Sequence, residues 1–254
     1  MKKLLMTIIL VAATIFLFTG CSNKNDISAC DEKRKEIEEK YGITICYGDD
    51  KVEAKELKGA KMLSEETRIE TSLDEIDDFF SKLPDGFLDE LEKYSGKPFL
   101  VVILREDLTG VIMKGVQKEH WAVDYSMITS SLAIDMMYSI YWHMEHATED
   151  LGFLKDWYKY NPSDFEYGNS NEYMEYLYGN GNDFESYFFM REMMENVEDD
   201  ITTLFMLLWK EQADVLQDTS VIPKMRAKIQ YLCSEIDRVF ETVDENAYWA
   251  RYIK

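Results

Sequence analysis

The pattern of apolar and polar positions changes character near residue 130. Before it, short β-prone runs alternate with charged helical stretches. Residues 31–41 are rich in Glu and Lys and read as an exposed helix ended by Gly42, while the alternation over 43–47 predicts a strand. Ser72-Leu-Asp-Glu75 has the form of a capping box, and Ile76, Phe79, Phe80 and Leu83 follow at helical spacing, so a helix is expected to start at Ser72. A shorter helix is expected over 87–94. The continuous apolar run 98–104 reads as a buried strand, with further strands at 110–113 and 121–124. Beyond residue 130 helical periodicity dominates, over 131–149, 183–194, 198–216 and 223–243, with a loop rich in Asn, Gly and Tyr over 158–182. Strands first and helices afterwards predict an α+β fold, with a small mixed sheet in the N-terminal half and a helical C-terminal half.

The N-terminus predicts export. Lys2 and Lys3 precede an apolar run from Leu4 to Phe18, too short for a comfortable membrane span, and Phe18-Thr-Gly-Cys21 follows. That segment resembles a bacterial lipobox, which implies cleavage before Cys21 and a diacylglycerol on its sulfur. The expected organisation is a signal peptide over 1–20, a lipid-anchored tether over 21–29 and one domain over 30–254. Membrane attachment is then through Cys21, on the extracytoplasmic face.

Charge narrows the partners. The chain has 49 acidic and 28 basic residues and a net charge of −21. Loss of residues 1–20 removes two lysines and no acid, making the charge more negative still. Such a surface repels nucleic acid and anionic headgroups. Once Cys21 carries lipid, Cys30, Cys46 and Cys233 remain; an odd number permits one bridge, with Cys30–Cys46 the candidate in an oxidising compartment.

Candidate chemistry sits on the helix expected over 131–149. Trp142-His-Met-Glu-His146 falls in the frame of H-E-x-x-H, where two imidazoles one turn apart hold zinc and the glutamate acts as general base. Here Trp142 stands at the first ligand position, His143 at the base position and His146 at the second ligand position. A tryptophan cannot ligate zinc, and the base has changed.

With Lys40-Tyr-Gly-Ile-Thr-Ile-Cys-Tyr-Gly48, Trp157-Tyr-Lys-Tyr-Asn-Pro-Ser-Asp-Phe-Glu-Tyr167 and Glu198-Asp-Asp200, the chain over about 30–243 resembles the zinc-metallopeptidase-like lipoproteins of Gram-positive bacteria. The resemblance implies a zincin-like domain in which Glu198 is the third zinc ligand beside His146. His143, three residues before His146, is the substitute ligand in a shifted site, although it points about 100° from the Trp142 direction in an ideal helix. Two of the three residues that the standard chemistry needs on this helix are replaced. The resemblance therefore implies a pseudoenzyme that binds a peptide, a protein or an envelope fragment, with zinc as the candidate cofactor of a surviving site and no metal as the expected state. The alternatives are an active metallopeptidase using His143, His146 and Glu198, and a helical binding module of an envelope assembly. Tyr160 and Phe165 would line a zincin-type cleft beside Trp142 and His146.

Overall fold

Parallel pairing brings three strands of the N-terminal half into one sheet. The computed structural model of the chain describes residues 27–52, 57, 60–95, 99–105, 121–147, 152–209 and 222–243. The expected signal peptide, Cys21 and the strand expected at 110–113 lie outside them. The order is β1 (Thr44–Cys46), β2 (Leu100–Leu104), β3 (Trp121–Asp124), and both pairings are parallel. The expectation of a mixed sheet is corrected, since the three described strands pair only in parallel and antiparallel character is confined to the isolated bridge between Met62 and Leu104. The parallel β1–β2 pairing follows from its connection, which carries α2 (Glu66–Phe80) and α3 (Phe87–Ser95) and so returns the chain to the same end of the sheet.

Strand β2 is apolar throughout because both of its faces are covered. Ile45 pairs with Val101 and belongs to the main core, whereas Cys46 pairs with Val102 and packs with Leu57 and Leu104 on the other face. Against the main face, Trp121 stacks on Phe80 at 5.7 Å and tilts against Phe99 at 4.7 Å between ring centroids. The alternation also explains why the permitted Cys30–Cys46 bridge does not form. Cys30 belongs to the main core and Cys46 to the opposite face, and Cys30, Cys46 and Cys233 are all free thiols.

Two helices differ from their expected starts for the same reason. The first, α1 (Ile27–Tyr41), begins inside the segment expected to be tether and is not wholly exposed, because Cys30 and Ile37 are buried and the helix packs on α2. In α2, Ser72 lies buried in mid-helix instead of capping it. Ile69 extends the buried stripe of Leu73, Ile76 and Phe80 by a full turn toward the N-terminus, and burial of that stripe overrides the local cap signal. Tyr41 Oη donates to Asp77 Oδ1 at 2.7 Å and Lys40 Nζ pairs with the same oxygen at 2.9 Å, tying the end of α1 to α2. Gly42, at φ +69°, terminates α1 in the left-handed region that favours glycine.

After β3, Asp124 Oδ1 accepts from the amide and hydroxyl of Ser126, at 2.8 and 2.7 Å, and turns the chain into α4 (Ile128–Ala147). This helix is the hub of the fold, packing against β3, α2, α3 and the C-terminal helices. Leu132, Ala133, Met136, Met137, Ile140 and Met144 are all buried on it. A helix apolar nearly all round is what a central position requires.

The second half is helical with one correction. It comprises α5 (Gly152–Trp157), α6 (Val197–Trp209) and α7 (Pro223–Val239). Residues 183–194, expected as an α-helix, instead form 3-10 turns at Asp183–Glu185 and Arg191–Met194, with a bridge between Leu177 and Phe188. Consecutive Tyr187, Phe188 and Phe189 cannot share one helix face. The extended segment buries Phe188 completely and leaves its neighbours half-buried. The result is a mixed α/β fold, mostly helical, with its small sheet in the N-terminal half. Among the described residues no helix is long and apolar enough to cross a membrane.

Candidate functional site

Each candidate of the zinc-type motif occupies a definite place. Trp142 and His146 lie on the last turns of α4, and their side chains fall outside the described set. His143 is 4% exposed, and its ring stacks on Phe240 with centroids 4.3 Å apart and planes 20° apart. Its Nε2 lies 3.9 Å from Glu90 Oε1 on α3, within ion-pair reach but beyond hydrogen-bond distance. That carboxylate is already occupied by the chain following α7. Thr242 Oγ1 donates to it at 2.7 Å, and the amides of Glu241 and Thr242 donate at 3.0 and 3.1 Å. Burial opposes the charged form of Glu90, but these donors and nearby His143 outweigh it and hold the carboxyl below its ordinary range.

Glu198 occupies the first turn of α6 and is exposed. On α4 its field is felt at Tyr138, whose phenol is raised first by burial and then by Asp199 and Glu198. Tyr138 and His143 are five residues apart, about 140° around an ideal helix. His143 therefore serves the α3 and Phe240 side of α4, and Glu198 meets α4 elsewhere. No group of three His, Cys, Asp or Glu side chains able to hold a metal ion occurs among the described residues.

The other motif residues converge, but on a different centre. Asp200 of α6 and Lys228 of α7 are both fully buried, with Lys228 Nζ donating to Asp200 Oδ2 at 2.8 Å. The same oxygen accepts from Trp157 Nε1 at 3.0 Å and from Tyr167 Oη at 2.6 Å. Asn161 Nδ2 in turn donates to Tyr167 Oη at 3.0 Å. The Lys228 ammonium lies 3.9 Å from the centroid of Phe188 and 5.7 Å from that of Trp157. Burial pushes the Lys228 amine down while Asp200 opposes the shift, and burial followed by Asp200 raises the Tyr167 phenol, which stays protonated as a donor. Asp200 Oδ1 is buried without a hydrogen-bond partner.

Tyr160 and Phe165, the expected cleft residues, have ring partners of their own. Tyr160 stacks on Tyr231 at 4.8 Å, and Phe165 packs among Tyr167, Tyr173 and Phe188 at 4.6 to 5.0 Å. Sequence reasoning quoted Trp157, Asn161, Tyr167 and Asp200 as motif members without seeing that they share one oxygen, and it missed Lys228. A signal existed. Asp200 falls on the buried stripe of Leu204, Leu207 and Leu208, and Lys228 on that of Met225, Leu232 and Ile236. Opposite charges at core positions of two helices call for each other.

A cleft of about 540 Å³ opens where the end of α1 meets the α2–α3 turn. Tyr41, Phe80, Leu83 and Leu88 give it an apolar floor, and Glu39, Asp85 and Asp89, with one cation, Lys40, a mostly acidic rim.

No protein-family model matches the chain, and neither a curated protein nor a solved structure matches it. Its class is therefore defined by its fold and by these groups.

Proposed function

We propose that the chain is a lipid-anchored, extracytoplasmic protein whose zincin-like domain does no peptidase chemistry and binds a peptide or protein segment of the cell envelope. The observation that carries the reading is the place of His143. Hydrolysis at a zinc site needs a base that reaches the metal-bound water. His143, at the base position of the motif, lies face-on against Phe240 and is nearly excluded from solvent. Its imidazole fills the core between α3, α4 and the chain after α7. The convergence of Trp157, Tyr167 and Lys228 on Asp200 Oδ2, with Asn161 behind Tyr167, supports the same reading, since these motif residues build a buried polar network.

The cleft above α2 and α3 supplies the binding chemistry. An apolar floor with three carboxylates against one lysine at its rim suits an apolar segment flanked by Lys or Arg, and the strongly negative chain favours such cationic partners at encounter. The anchor rests on Cys21 and its lipobox.

The test is to incubate the full chain, supplied with zinc, with a mixture of unstructured peptides. Intact peptides, with basic-apolar members retained on the protein, are expected. Cleavage that disappears in His143→Ala or Glu198→Gln would establish the rival reading of an active enzyme using His143, His146 and Glu198. For the anchor, Cys21→Ala is expected to stop incorporation of labelled fatty acid and release the protein from the membrane fraction.

A further inference from the structure

Two tyrosines of the N-terminal half share one arrangement with a cation. Tyr47 Oη donates to Asp31 Oδ1 at 2.9 Å. The Arg34 guanidinium pairs with that oxygen at 3.1 Å and lies 4.7 Å from the centroid of the Tyr47 ring. Tyr41 Oη likewise donates to Asp77 Oδ1 at 2.7 Å, and Lys40 Nζ pairs with the same oxygen at 2.9 Å, 4.8 Å from the Tyr41 centroid. In both places a ring and the carboxylate it bonds hold one cation between them.

The strip of rings over residues 165–187 repeats the ring and the carboxylate but brings no cation of its own. Tyr176 Oη donates to Asp164 Oδ1 at 3.1 Å, and Tyr173 Oη donates to the Asp164 carbonyl at 2.7 Å. Tyr173 lies 6.2 Å from Tyr176 with planes 19° apart, and Tyr187 meets Tyr176 edge-on at 5.5 Å. These three rings are half-buried, so each keeps surface free for a partner, and Asp164, Glu172 and Glu175 are exposed beside them. Residues 160–190 hold six acids and no Lys, Arg or His. The bases that flank this stretch are engaged: Lys159 pairs with Asp156, and Arg191 Nε donates to Ser170 Oγ at 3.0 Å and faces Glu195. Lys224 lies 5.5 Å from the Tyr187 centroid, so the strip already takes an ammonium on one ring. Burial, then Glu166 and Glu172, raise the Tyr173 phenol, and burial, then Asp164, raise that of Tyr176, which marks the strip's field as negative.

We infer that Tyr176 and Asp164 seat an arginine side chain of a partner protein, and that the strip docks an unstructured, arginine-rich segment. A guanidinium suits it because its plane can lie on a ring while its N–H groups reach a carboxylate, as Arg34 does with Tyr47 and Asp31. The neighbouring carboxylates take the flanking arginines, and the net charge of −21 draws such a segment in. This face shares no residue with the cleft between α1 and α3 and stands independently of it.

The test is fluorescence anisotropy of a dye-labelled peptide alternating Arg and Gly, titrated with the full chain at about 0.15 M ionic strength, where diffuse attraction is screened. Binding by the wild type is expected. Tyr176→Leu and Asp164→Asn should each weaken it about threefold, and the two together about tenfold. Tyr176→Leu leaves the net charge unchanged, so attraction to a merely acidic surface would not register it. Asp164→Asn, on an exposed side chain, decides alone if Tyr176→Leu does not fold. Absence of binding by the wild type, or wild-type affinity in the variants, overturns the inference. Glu39→Gln with Asp85→Asn and Asp89→Asn should bind as the wild type does. Loss of binding there, with the strip variants unaffected, overturns the inference and leaves the cleft reading standing.

Discussion

His143 on α4 and Asp200 on α6 are both buried polar groups in a largely apolar interior, yet they are accommodated differently. His143 is held by a ring, Phe240, with a carboxylate 3.9 Å away that is already engaged by three other donors. Asp200 gathers three donors onto one oxygen, one of them a buried cation. The first arrangement is mainly packing, and the second is a polar network whose members depend on one another. The difference teaches that a chemistry-bearing residue type in a motif frame says little until its exposure is known, and that charges hidden in apolar stripes carry more of the fold's energetics.

Mutations separate the two regions by magnitude. Asp200→Ala leaves the Lys228 cation buried alone and is expected to cost about 3–5 kcal/mol in urea unfolding, with Lys228→Met added to it restoring part of the loss. A small single-mutant effect would break the comparison, because it would mean that water reaches the pair. His143→Ala removes the ring beneath Phe240 and is expected to cost about 2 kcal/mol by the same measurement. His143→Phe should retain much of the stability through the stack on Phe240 while losing the imidazole's pull on Glu90. Tyr167→Phe deletes one donor to Asp200 and is expected to cost about 1.5 kcal/mol.

The Glu90 carboxylate beside His143 adds a pH dependence. Its folded pKa is depressed, so its contribution is fully present above the unfolded value of about 4.3 and is lost as pH falls through the lower folded value. Thr242→Val removes one of the donors that lower it. The variant is expected to be less stable than the wild type by about 1 kcal/mol at pH 7. The gap should narrow as urea midpoints are followed down to pH 3. Smallest of all, Glu198→Gln is expected to change stability by no more than about 0.5 kcal/mol, since the side chain is exposed at a helix start.

What was legible in the sequence follows from what is local. The apolar run that becomes β2, strand 121–124 and the span of α4 all carry their own pattern, and the structure places them within a few residues. The start of α2 was misjudged because Ser72 carries a local cap signal while the longer stripe beginning at Ile69 decides the fold. Residues 183–194 were misjudged because aromatic content alone does not give a period. The Asp200–Lys228 pair was hidden by distance in sequence: which of three consecutive acids at 198–200 turns inward depends on the stripe it shares with Leu204, and its partner lies on another helix. For Glu198 the ligand role comes from the resemblance alone, and the residue lies exposed on the first turn of α6.

The central claim is that the motif-bearing turn of α4 serves packing and does no zinc chemistry. Elemental analysis of zinc in the full chain purified without chelators, run beside His146→Ala, tests it most directly. The account predicts no stoichiometric zinc in either preparation; one zinc per wild-type chain, lost in His146→Ala, would contradict it.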